Sequence, residues 1–203
     1  NQVLVAWVVH ELTAAVAKAS DGDFDVADGA VHNWDEAWAY YHGSEPGGSP
    51  FATADSRAAN FATIGPDGET ARANAAILAA MIEGRDALLA EDVAGAEAAS
   101  AEVVRNVAIT YSQAVIRYAS LVEGDLSDGD TEKAKEHQAE GLAFWRVIEA
   151  YVTPAGADGD TINAIFDLSD EPGANGFGDE VTAALGPAWE ELGISAEDIG
   201  RLE

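Results

Sequence analysis

A chain of 203 residues with 37 acidic and only 10 basic side chains carries a formal charge of −27. Such an excess excludes nucleic acid and anionic membrane surfaces as partners, because both repel it at every approach. The acids are spread over the whole chain, as in a surface kept hydrated in high salt where screening suppresses self-repulsion; a surface that gathers cations is the other reading.

Without cysteine there are no disulfides, no thiolate metal ligands and no thiol nucleophile. The length suits one domain with a real core, covering residues 1–203. No run of about 18 apolar residues occurs, so no membrane span is expected. A chain that starts at Asn1 instead of Met reads as trimmed, or as a mature periplasmic or extracellular form whose signal peptide has gone.

From Val3 to Ser20 the sequence is apolar and helical, stopped by Asp21-Gly22-Asp23. Leu4, Trp7, Val8 and Ala15 share a face, with Glu11 at its centre. A second helix, expected from near Asp25, ends at Gly43 and carries Val31, Trp34, Trp38 and Tyr41 at buried-face spacing. Asp35 falls inside that stripe, whereas Glu36 points away from it. Turn residues cluster at 43–50 and 65–68, with a short helix or ordered loop over 55–61 between them.

Long helices follow over 70–90 and 93–122. The second has an inner stripe of Val104, Tyr111, Val115, Tyr118 and Val122, which places two phenols where a pure core would carry Leu or Phe. Asp130 or Thr131 caps a helix that runs to about Val152. Its apolar stripe of Phe144, Val147, Ile148 and Tyr151 extends backwards to Glu140 and His137. A short helix from Asp160, a Gly-rich turn at 173–178, a helix over 179–192 and a capped stub from Ser195 complete the chain. Nothing alternates as a strand, so the expected fold is all-α: an antiparallel bundle of four to five long helices with short C-terminal ones.

Carboxylates and imidazole projecting inward from separate helices are what a bundle needs to hold iron, manganese or zinc. The candidate ligands are Glu11, Asp35, Glu140 and His137, with Tyr111 and Tyr118 as additions. His32-x-x-Asp35 and His137-x-x-Glu140 each put two donors on neighbouring helical positions, although the carboxylate-bridged di-iron bundles use Glu-x-x-His in that order. Oxygen-rich ligands suit ferric iron, and ferrous iron remains compatible.

A ferroxidase-like dimetal oxidase would need about six ligands, more than the four good candidates here, so binding is expected rather than catalysis. The structural alternative neutralises each acid with one of the scarce arginines, Arg57, Arg72, Arg105, Arg117 or Arg146. Three Asp-Gly-Asp sites lack the full calcium-loop spacing and read as caps and turns. No nucleophile elbow, phosphate loop or dinucleotide fingerprint is present. The sequence leaves the oligomeric state open.

Four blocks carry a family resemblance: Trp34-Asp-Glu-Ala-Trp-Ala-Tyr-Tyr41 followed by Gly43, Asp55-Ser-Arg-Ala-Ala-Asn-Phe61, Thr110-Tyr-Ser-Gln-Ala-Val-Ile-Arg-Tyr-Ala119, and Glu140-Gly-Leu-Ala-Phe-Trp-Arg-Val-Ile148. In this order they resemble the algal iron-assimilation family, the low-iron-inducible periplasmic proteins. The resemblance implies a secreted or periplasmic helical protein that binds iron during its acquisition, with a membrane transporter as a further partner. It carries over Asp35, Glu36, Arg57, Tyr111, Arg117, Glu140 and Arg146 as matching positions. Algal members use cysteines, and this chain has none.

Overall fold

The computed structural model describes residues 1–44 and 47–203. Its contacts divide the chain into two compact units, Asn1–Ala59 with Thr63–Val107 and Asn60–Ala62 with Ala108–Glu203. All regular elements among the described residues are helices, joined by turns and loops, with a single isolated bridge between Ile64 and Ala71.

The first unit opens with α1 (Gln2–Ser20) and α2 (Ala30–His42). These pack as an antiparallel hairpin: Lys18 Nζ reaches the Asp28 carbonyl, Asn33 bonds Glu11, and the Trp7 ring stacks on Tyr40. The second helix starts five residues later than expected. Asp25 Oδ1 accepts the backbone N–H groups of Ala27 and Asp28, a local turn that competes with helix. By length and composition alone α1 is long and apolar enough to cross a membrane, where the sequence predicts no such segment. Its Val5, Val8, Leu12, Ala15 and Ala19 are buried.

Next come α3 (Pro50–Asn60) and α4 (Arg72–Leu89). The turn expected over 43–50 includes Glu45 and Pro46, which lie outside the described residues. Antiparallel packing of α4 on α2 follows from two bonds, Trp34 Nε1 to the Met81 carbonyl at 2.8 Å and Tyr41 Oη to Asn74 Oδ1 at 2.5 Å. Asn74 also donates to the Phe51 carbonyl and to Asp55 Oδ1, so one buried amide ties three helices together. Asp55 Oδ1 in turn accepts the Ala71 N–H at the start of α4.

The division between units falls within α5 (Val93–Asp128). From Asn106 to Ile116 every residue of this helix is buried, which is why its apolar stripe reads poorly from periodicity. In the second unit, α6 (Thr131–Val152) begins at the expected cap, where Asp130 accepts the Lys133 N–H, and runs antiparallel to α5. Then follow α7 (Gly159–Ile165), capped by Asp158, α8 (Gly178–Glu191) and α9 (Ala196–Ile199), capped by Ser195. Trp189 Nε1 binds Ser112 Oγ and Gln113 Nε2 binds the Ile199 carbonyl, which fastens α8 and α9 to α5.

Candidate functional site

In the first unit Glu11 is buried, as its place on α1 requires. Its partner is neither an arginine nor an acid from another helix: Asn33 Nδ2 donates to Oε2 at 2.5 Å. The oxygen of that amide, Asn33 Oδ1, is buried with no hydrogen-bond partner among the described residues. A buried carboxylate met by one neutral donor is thinly compensated.

Asp35 departs from expectation because it is exposed. The buried face of α2 runs through Ala30, Val31, Trp34, Ala37 and Tyr41, and at 100° per residue Asp35 sits roughly 110° from its centre. Alanines mark the line of closest approach, and counting only aromatic positions rotates the stripe toward Asp35. The Asp35 side chain lies on the wall of a groove of about 330 Å³ between α2 and α4. Glu36 stands 3.5 Å from His32 Nε2, and Arg57 lies half-buried on α3.

Glu140 is likewise exposed. On α6 the inward line is Ala134, Gln138, Gly141, Trp145, Ile148 and Val152, with Val147 also buried at its flank, and Glu140 falls about 120° from the line. Gly141 allows this close approach, since a Cβ there would lie 2.0 Å from the Phe166 ring. Among the described residues no three His, Asp or Glu side chains gather where one ion could touch them all. The expected convergence of carboxylates is therefore absent from the described residues.

Other predicted residues do meet. Tyr111 and Tyr118 pack against Phe144 with ring centroids 6.1 Å and 5.2 Å away, and Tyr118 lies 5.7 Å from the His137 ring. The Arg117 guanidinium stands 5.4 Å over the Tyr118 ring, while Arg146 pairs with Glu149 on its own helix.

The partner that sequence reasoning missed is Asp125. It is buried at the end of α5 and faces His137 Nδ1 at 2.5 Å and Lys133 Nζ at 3.2 Å. A signal was available, because Asp125 continues the seven-residue spacing of Tyr111 and Tyr118. Ending the helix at Val122 hid it; α5 continues to Asp128.

Burial alone would raise the Asp125 carboxyl, but the hydrogen bonds from His137 and Lys133 and their charge outweigh it and hold it below the usual carboxylate range. An ionised carboxylate only accepts, so Nδ1 of His137 carries the proton and, in the neutral ring, Nε2 keeps its lone pair. Histidines that ligate metals are oriented in this way. His137 and Glu140 also stand one helical turn apart, and the set offers nitrogen and oxygen donors compatible with iron.

A family model described as low iron-inducible periplasmic protein matches residues 2–203. No curated protein and no solved structure matches the chain.

Proposed function

The chain belongs to the low iron-inducible periplasmic protein family, and from that membership we propose that it binds iron outside the cytoplasm and passes it on during iron assimilation. The iron is cargo in this reading. His137 Nε2 takes the ion, Glu140 adds a carboxylate from the next turn of α6, and water or a small chelator fills the remaining positions. Asp125 does not touch iron but fixes the tautomer and the aim of the imidazole, and Tyr118 walls its face. Two protein donors hold an ion loosely, which suits transfer better than storage.

What supports this place over others is one observation, the 2.5 Å contact that commits Nδ1 of His137 to a buried carboxylate and leaves the other nitrogen unused. Protons compete for that nitrogen, so iron should leave as the medium is acidified. The test is equilibrium dialysis against ferrous iron under anaerobic conditions and against ferric nitrilotriacetate. About one ion per chain is expected, with Asp125→Asn and His137→Ala each weakening binding about 10-fold to 100-fold. Glu11→Gln, on a different helix, should change it less than about twofold. Unaltered affinity in both the Asp125 and the His137 variant would rule out this site.

A further inference from the structure

The groove between α2 and α4 is lined largely by apolar side chains. Leu78 and Ile82 are each 44% exposed and Val26 is 64% exposed, three large aliphatic side chains around one opening, with Trp34, Trp38 and Met81 beneath them. At about 330 Å³ the space lies at the small end of ordinary ligand sites.

Its polar groups are committed with one exception. Arg85 is bound to Asp86 at 2.6 Å, His32 faces Glu36 at 3.5 Å, and Trp34 Nε1 is spent on the Met81 carbonyl. Asp35 has neither a hydrogen bond nor an ion pair with any described residue. The chain's charge of −27 sets the sign of whatever approaches. Indole faces attract cations as well, since the ring quadrupole is negative above its plane.

From the juxtaposition of two indoles, an aliphatic rim and one uncommitted carboxylate, we propose that this groove binds an organic ammonium ion, a protonated or quaternary amine on a compact apolar body. The ammonium sits at Asp35 and the body lies against Trp38, Leu78 and Ile82. An organic anion would meet the Asp35 carboxylate and an arginine already shared with Asp86, and an inorganic cation would leave the apolar walls unused. This reading is independent of the iron site, which lies on other helices.

The probe is phenethylammonium, titrated calorimetrically and by tryptophan fluorescence, with phenethyl alcohol and 3-phenylpropionate as its neutral and anionic counterparts. One site is expected, with the ammonium preferred over the alcohol by about tenfold or more and no uptake of the carboxylate. Asp35→Asn, at an exposed position that tolerates the change, should abolish that preference while alcohol binding persists. Glu83→Gln, an exposed acid on α4 outside the groove, controls for the general field of the protein and should leave the preference intact.

Equal losses in the two variants would mean diffuse counter-ion attraction and overturn the proposal, as would tighter binding of the carboxylate. A groove that instead seats a second copy of the chain would show concentration-dependent dimers in sedimentation, dispersed by Leu78→Asp, with the probe unbound by the monomer. That result also overturns it.

Discussion

Replacing Gly84 by alanine sets two opposed effects against each other at one buried position of α4. Alanine is the better helix former by about 1 kcal/mol, so propensity alone predicts stabilisation. Geometry predicts the reverse, because the new Cβ would lie 1.9 Å from Cζ2 and 2.5 Å from Cη2 of Trp34. That ring has little freedom to yield: it is 2% exposed and its Nε1 is tied to the Met81 carbonyl one turn away.

Overpacking of this kind costs about 1–3 kcal/mol, and an indole pushed off its acceptor leaves its own buried N–H unpaired for about 1–3 kcal/mol more, while the Met81 carbonyl keeps its bond within the helix. Net of propensity, Gly84→Ala should be destabilised by about 1–5 kcal/mol. Urea unfolding followed by tryptophan fluorescence and far-UV circular dichroism measures it. Gly124→Ala is the paired control, because nothing lies within 4 Å of its added methyl; it should gain about 0.5–1 kcal/mol. A Gly84→Ala protein as stable as the wild type would refute the claim that α2 and α4 meet through this glycine.

Asn74→Ala removes the amide shared by Tyr41, Phe51 and Asp55 and should cost about 2–4 kcal/mol by urea unfolding, since one buried and two half-buried groups lose a partner together; a loss under about 1 kcal/mol would mean that water replaces the amide. Asp125→Asn tests linkage. The folded carboxyl titrates below its ordinary value of about 3.9, so its contribution is complete above that value and is lost as pH falls through the lower folded one. The variant should therefore be less stable at pH 7, and its gap from the wild type should close toward pH 2. A gap that stays constant with pH contradicts an ionised Asp125 held by His137 and Lys133.

The two mistaken orientations share a cause. On α2 and on α6 the pattern of large apolar residues alone centres the inward line too far round the helix, because small or polar positions share that line with Trp34, Tyr41 and Trp145: Ala30 and Ala37 in one helix, Gln138 and Gly141 in the other. Small residues let backbones approach, and large ones at the flank fill the space beside the contact. Trp38 and Phe144 are such flanking residues, each only half-buried. The same rotation carried Asp35 and Glu140 outward, whereas Glu11, flanked on its helix by Val8, Leu12 and Ala15, stayed inside.

Local chemistry alone determined the helical class, the caps at Asp130 and Ser195 and the burial of Glu11, because capping and periodicity act within a few residues of chain. The pairing of Asp125 with His137, the amide that ties Tyr41 to Asp55, and the single uncommitted carboxylate in the groove were decided only by tertiary structure. Each depends on which flank of one helix faces another, a rotation of tens of degrees that periodicity does not specify and packing does.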